Sequence, residues 1–244
     1  MPVAISPDGT PIHYEVAGSE APGAPSIVCH HGTGGTLQTW HRVGYVERLA
    51  PHARLLLIDS RGHGKSDRPD AEGSYALSKR VEDVVAVLGA TGTGRAHFWG
   101  YSMGGWVGWG AMTYAPERFL GYILGGFGPT PDPYYGRTVE DFYGSRLTEA
   151  AQQEQRVMRL IWNETNAFPG AIDVLLANTN PVLLYSGDRD PRYASIRDAQ
   201  PMNADAEFFM LPGLDHGAAF GQAAADVTPR VVEWLSRVEA GSAR

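Results

Sequence analysis

Cysteine is nearly absent: Cys29 is the only one in 244 residues. A single thiol excludes any intrachain disulfide and is compatible with a reducing compartment. The opening MPVAISPDGTPIHYEV lacks a positive segment followed by an apolar one, so no secretory signal is expected and the cytoplasm is the expected location. No stretch approaches 18 consecutive apolar residues, so no membrane span is expected. Basic runs are missing as well, and the net charge is -7. Nucleic-acid and anionic-membrane partners need a positive patch, so both are disfavoured. No cysteine cluster and no helical His-x-x-x-His pair occurs, so neither a metal nor another cofactor is expected. Internal repeats and low-complexity segments are lacking too, and nothing in the sequence speaks to oligomeric state.

What is present is a rhythm. Ile12, Tyr14 and Val16 alternate with His13 and Glu15, which predicts a half-buried strand, and Asp8-Gly9 predicts a hairpin turn before it. Short apolar strands follow at 26–29, 54–58, 96–100, 120–124, 181–186 and 207–211. Between them lie helical patterns at 40–50, 78–88, 103–114 and 226–238, with Ser78 as a cap and Gly89 just past the end of its helix. Apolar strands alternating with helices imply an α/β fold: a mostly parallel, doubly wound sheet covered on both faces, with an N-terminal antiparallel hairpin. The rhythm breaks from Gly128 to Asn180, which opens with Pro129, Pro131 and Pro133 and turns helix-like over 146–162. We divide the chain accordingly, with residues 1–128 and 181–244 as one core domain and 129–180 as a small helical cap.

Gly100-Tyr101-Ser102-Met103-Gly104 matches G-x-S-x-G between a strand and a helix. A serine aimed out of a strand end must sit in a sharp, strained turn, and the flanking glycines leave room for strand and helix to pass closely. Ser102 is the candidate nucleophile. His31-Gly32-Thr33-Gly34-Gly35 also follows a strand. Its free backbone can aim an N–H at a developing oxyanion, and the Thr33 and Met103 N–H groups are the candidate donors. A dinucleotide fingerprint fails here, because its last glycine would fall at Leu37. A P-loop fails as well, because its first glycine would fall at Asp59.

Of eight histidines, His216 stands out by following the last strand, and it is the candidate general base. Its orienting acid is either Asp188 or Asp190, both after the penultimate strand. Asp190 is favoured, since Asp188 sits at the strand end, where it would tie down the turn. Asp215 is a poor orienter, because neighbours in an extended segment point apart.

Taken together, H-G-T-G-G at 31–35, D-S-R-G-H-G-K-S at 59–66, G-Y-S-M-G-G at 100–105, G-D-R-D-P at 187–191 and D-H-G at 215–217 resemble the α/β-hydrolase superfamily. The resemblance implies the α/β-hydrolase fold, with a nucleophile, acid and base in the chain order Ser102, Asp190, His216. The acid there usually lies three residues after the glycine of its turn, which again selects Asp190. The segment 59–66 resembles a structural turn, so Arg61, His63 and Lys65 are read as turn-locking or solvated. Haloalkane dehalogenases and epoxide hydrolases carry aspartate at the elbow, where this chain has Ser102.

The expected activity is therefore a serine hydrolase acting on a small, largely apolar ester or related acyl compound through an acyl-enzyme. A cofactor-free haloperoxidase or perhydrolase, a C–C or amide hydrolase, and a non-enzymatic ligand receptor share this fold and are the alternatives. Trp40, Tyr101, Trp106, Phe127, Phe142, Met158 and Trp162 are the candidate pocket residues, of which two or three are expected to touch substrate.

Overall fold

The computed structural model describes residues 2–131 and 138–242. The chain opens with β1 (Val3–Ile5), β2 (Pro11–Gly18) and β3 (Ser26–His30). Two short helices follow, α1 (Leu37–Arg42) and α2 (Tyr45–Leu49). Then come β4 (Arg54–Ile58), α3 (Leu77–Ala90), β5 (Ala96–Tyr101), α4 (Met103–Tyr114) and β6 (Phe119–Gly125). Four helices precede the next strand: α5 (Val139–Tyr143), α6 (Ser145–Glu149), α7 (Gln152–Asn166) and α8 (Ile172–Ala177). The chain closes with β7 (Val182–Gly187), α9 (Tyr193–Ala199), β8 (Ala206–Leu211), α10 (Ala218–Gly221) and α11 (Ala224–Ser242).

The eight strands form one sheet in the order β1-β2-β4-β3-β5-β6-β7-β8. The β1–β2 and β2–β4 pairs are antiparallel, and every later pair is parallel. Continuous apolar strands make sense here, because both sheet faces are covered. In β4, Leu56 and Ile58 enter one core while Leu55 and Leu57 enter the other. The first core is closed by α3, α4, α8 and α9, and the second by α1, α2, α10 and α11.

Several element boundaries differ from the sequence-based expectation. The 40–50 helix is two helices, because Gly44 sits in the left-handed region at φ 82°, where a Cβ would lie 2.3 Å from Arg48 Nη1. The second crossover helix begins at Leu77, behind an extended Ala76, and contains Gly89. The 146–162 helix is broken by extended Ala150 and Ala151. That break lets Leu147 join a small cluster with Val139, Tyr143 and Trp162, while Val157 and Ile161 join the first main core. Phe168, Ala171 and Leu175 also enter that core, and the Asn203 side chain donates to the carbonyls of Leu175 and Asn178 at 2.6 and 2.8 Å. The segment between β6 and β7 is therefore rooted in the main core. Pro133 lies outside the described residues.

Two glycines, Gly100 in β5 and Gly104 in the first turn of α4, set the geometry around Ser102. A Cβ on Gly100 would lie 2.1 Å from the Gly104 carbonyl oxygen, and one on Gly104 would lie 2.1 Å from that of His30. Backbone atoms cannot turn aside as side-chain ends do. Gly104→Ala is expected to cost about 3 kcal/mol of stability or more. Gly89 lies inside a helix with open space around it. Gly89→Ala is expected to add about 0.5–1 kcal/mol. Urea denaturation of both variants checks this, and a Gly104→Ala protein as stable as wild type would contradict the close approach.

Candidate active site

Ser102 occupies the turn between β5 and α4 at φ 55°, ψ -117°. It is the one non-glycine residue with positive φ among the described residues. The strain is held from both sides: its N–H donates to the Gly125 carbonyl at 2.8 Å, and its carbonyl accepts from Trp106 N–H at 3.0 Å. Ser102 thus caps α4, whose first-turn N–H groups have no intrahelical acceptor. The positive end of the helix dipole lies beside its hydroxyl.

His216 Nε2 lies 3.0 Å from Ser102 Oγ, and His216 Nδ1 lies 2.6 Å from Asp190 Oδ2. An ionised Asp190 accepts at Nδ1, so the neutral ring offers Nε2 as acceptor to the serine hydroxyl. The Asp190 side chain is fully buried, whereas 28% of the histidine side chain is exposed. The acid is thus sealed behind the ring, and the ring faces the opening. Asp190 Oδ1 also accepts from the Arg192 N–H at 2.9 Å, which fixes the carboxylate plane. Tyr101 Oη donates to the His216 carbonyl at 2.6 Å, holding the loop that carries the ring.

Asp188 is exposed and accepts from Gly213 N–H at 2.7 Å, tying the acid loop to the loop that leads to His216. A Cβ on Gly187 would lie 2.0 Å from the Leu214 carbonyl oxygen, so the backbones of these loops are also in direct contact. Asp215 Oδ1 accepts from Ala218 N–H at 2.8 Å, away from the ring of His216.

A cavity of about 170 Å³ opens above Ser102, with Thr33, Met103 and His216 in its wall. Phe127, Phe142 and Trp162 line it, and the last two rings pack at 4.6 Å. Four other pocket expectations are corrected by the structure. Trp40 is fully buried in the second core, edge-on to Trp99 and Phe220. Tyr101 lies beneath the histidine loop, stacked on Phe220 at 4.8 Å. Trp106 is buried inside α4, with the Arg80 guanidinium over its ring. Met158 sits one turn too early on α7 and lines a neighbouring groove with Gly35 and His63. The residues missed are Tyr143, Ile161, Thr165 and Arg192. Helical spacing from Trp162 could have found Thr165, and from Thr165 the residue one turn back, Ile161, but nothing in the pattern marks Arg192.

The 59–66 turn supports this site from below. Asp59 accepts from Leu37 N–H at 2.8 Å and Lys65 N–H at 2.9 Å, and it meets His13 Nδ1 at 2.8 Å. It thereby ties the start of α1, just after the Thr33 loop, to the turn. Arg61 is fully buried, not solvated, and pairs with Asp83 and Asp8. Buried Arg80, which the sequence did not flag, donates to Ser60 Oγ at 2.7 Å and reaches Met103 Sδ at 3.6 Å. Among the described residues, no helix is long and apolar enough to cross a membrane, and no group of three or more His, Cys, Asp or Glu could hold a metal ion.

With this geometry in view, comparison with known proteins gives the family. Residues 25–168 match the model of the alpha/beta hydrolase fold family, and the chain belongs to it. A pimeloyl-[acyl-carrier protein] methyl ester esterase of Pectobacterium carotovorum is 30% identical over 185 residues, covering 64% of this chain and 69% of its own. Four further curated bacterial relatives, at 29–33% identity, are spanned over only 40–48% of their length. Among solved structures, a thermophilic esterase from Thermogutta terrifontis superposes with TM-score 0.81 at 20% identity, covering 98% of both chains. An enol-lactonase from Burkholderia xenovorans superposes with TM-score 0.79 at 24% identity, covering 96% of this chain and all of its own.

Three imidazoles cluster behind the Thr33 loop. His31 stacks on His30 and meets the His63 ring edge-on at 5.1 Å. Burial pulls His31 down to about 4, against a hydrogen bond to the Gly32 carbonyl. Burial, with neighbouring positive charge, holds His30 and His63 well below the usual histidine range. In the unfolded chain these rings take up protons near pH 6.5, and in the fold they do so only at lower pH. Between about pH 6.5 and 4 the unfolded state therefore binds more protons, so stability falls as pH drops. Each ring contributes up to about 1.4 kcal/mol per pH unit. Urea midpoints are expected to fall steeply from pH 7 to 5, and a flat profile would contradict neutral buried rings.

Proposed function

We propose that the protein is a serine hydrolase that cleaves a carboxylic ester, or a related acyl bond, of a small and largely apolar substrate. The observation that carries this reading is the chain of contacts from Asp190 through His216 to Ser102 at the floor of a cavity. Ser102 Oγ attacks the acyl carbonyl as His216 Nε2 takes its proton. The oxyanion forms between the N–H groups of Thr33 and Met103, the second at the positive end of α4. His216 returns the proton to the leaving alcohol, then activates water to release the acid. Asp190 holds the ring in the tautomer this sequence of steps needs. No metal or organic cofactor takes part. The helices between β6 and β7 act as the cap, contributing Phe142, Tyr143 and Trp162 to the cavity wall. The methyl ester esterase relative supports an ester as the scissile group.

The test is hydrolysis of p-nitrophenyl esters from acetate to dodecanoate. The small cavity favours the short acyl chains. Ser102→Ala is expected to lower kcat by about 10⁴ or more. Inert wild-type protein across the whole series would overturn the esterase reading. The two aspartates separate in the same assay. Asp190→Asn is expected to lose about 10⁴ in kcat, by presenting the wrong tautomer. Asp188→Asn, outside the relay, is expected to lose less than about tenfold. Equal losses would contradict Asp190 as the orienting acid.

A further inference from the structure

A fully buried cation lies behind the Thr33 loop and takes no part in the proton transfers between Ser102 and His216. Arg80, on α3, donates from Nη1 to Ser60 Oγ at 2.7 Å and from Nε to the Tyr75 carbonyl at 3.2 Å. Nη1 also lies 3.6 Å from Met103 Sδ, and the guanidinium sits over the rings of Tyr75 and Trp106. Its Nη2 has no hydrogen-bond partner among the described residues. Asp83, the carboxylate whose charge it feels most, is gripped at both oxygens by Arg61 at 2.6 and 2.7 Å. Burial pulls the Arg80 pKa down to about 10, which leaves it charged at neutral pH. A buried cation without a carboxylate of its own is costly, and an apolar side chain of similar length would fill the space without that cost. Packing alone therefore does not account for an arginine here.

The bonds of Arg80 lead to the backbone beside the nucleophile. Ser60, which accepts from Arg80, donates its own N–H to His31 Nε2 at 3.1 Å. That makes Nε2 the acceptor and leaves the ring proton on Nδ1. Nδ1 then donates to the Gly32 carbonyl at 2.8 Å, and Gly35 N–H donates to the same oxygen at 3.0 Å. The Gly32 carbonyl and the Thr33 N–H belong to one planar trans peptide, so they point in opposite directions. Two donors that hold the carbonyl back aim the N–H forward, and Thr33 lines the cavity. Hydrogen bonds in such a chain polarise one another, and a positive charge stands at the head of this one. Met103, which carries the other candidate oxyanion donor, touches the same guanidinium through its sulfur.

We propose that Arg80 is a positioning residue for the oxyanion hole: through Ser60 and His31 it fixes the peptide that carries the Thr33 N–H, and through Met103 it steadies the second donor. The proposal rests on the serine hydrolase reading above and adds a second relay, from Arg80 to Thr33, to the one from Asp190 to Ser102.

The test uses 1,1,1-trifluorobutan-2-one, small enough for the cavity, alongside p-nitrophenyl acetate. Ser102 Oγ adds to the ketone carbonyl, and the former carbonyl oxygen becomes a hemiketal hydroxyl whose ionised form occupies the oxyanion hole. Its titration is followed by fluorine NMR. In Arg80→Met the hemiketal pKa is expected to rise by about one unit or more, and kcat on the ester to fall about tenfold or more with KM within about twofold. Arg80→Lys, which keeps the charge and a donor, is expected to recover part of both. A wild-type hemiketal titration in Arg80→Met overturns the proposal however far kcat falls, because a general loss of structure does not spare the stabilised oxyanion. If Arg80→Met does not fold, Ser60→Ala makes the milder cut, since it deletes only the hydroxyl that Arg80 holds. A rise in its hemiketal pKa supports the relay, and a wild-type value overturns it. If wild type forms no adduct and leaves the ester intact, the hydrolase reading fails, and the Thr33 amide resonance decides the relay by itself. A Thr33 amide that moves in Ser60→Ala supports it, and one that stays in place overturns it.

Discussion

The arrangement depends on the turn at Ser102. A serine held at positive φ persists only where its surroundings over-determine it. Here the constraint is backbone against backbone. Gly100 faces the Gly104 carbonyl, Gly104 faces that of His30, and the Ser102 N–H is anchored on Gly125. Three adjacent parallel strands, β3, β5 and β6, thus meet α4 at this point. The strain turns the hydroxyl away from the sheet and sets it at the helix N-terminus, where His216 can reach it.

Around that turn, the two cores do different work. The second core packs Trp40 edge to face against Tyr45, Trp99 and Phe220, and Tyr101 stacks on the same Phe220. Tyr101 then donates to the His216 carbonyl, so aromatic packing under the sheet is transmitted to the loop that carries His216. On the other side, buried polar groups stiffen the Thr33 loop. Asp59, Arg61 and Arg80 bond the turn at 59–66 to α1, α3 and the neighbourhood of Met103. Such groups are costly unless paired, and their many partners make the segment rigid.

Much of the fold was legible because local and global demands agreed. The RLLLI strand and the helix from Met103 to Tyr114 match residue for residue, since one is apolar on both faces and the other is bounded by its elbow and by Pro116. The grouping of Ser102, Asp190 and His216 is one that the structure brings together, and the resemblance to the α/β-hydrolase superfamily, with its usual spacing from the turn glycine, pointed to Asp190 over Asp188. Harder to read was which way an aromatic residue faces. Trp40 and Tyr101 are close to the site along the chain, yet they point into the core, because sheet alternation and helix packing decide it. Gly44 reads as helical by periodicity but takes a left-handed turn. Arg192 has no signature at all, because its place in the cavity follows from the course of the acid loop.

The central claim is that Ser102 is a nucleophile activated by His216, and covalent trapping tests it most directly. The protein is treated with diisopropyl fluorophosphate, and the adduct is mapped by mass spectrometry of its peptides. The account predicts one adduct per chain, on the peptide carrying Ser102, formed far more slowly in His216→Asn. No adduct, an adduct elsewhere, or equal labelling of the His216→Asn variant would contradict it.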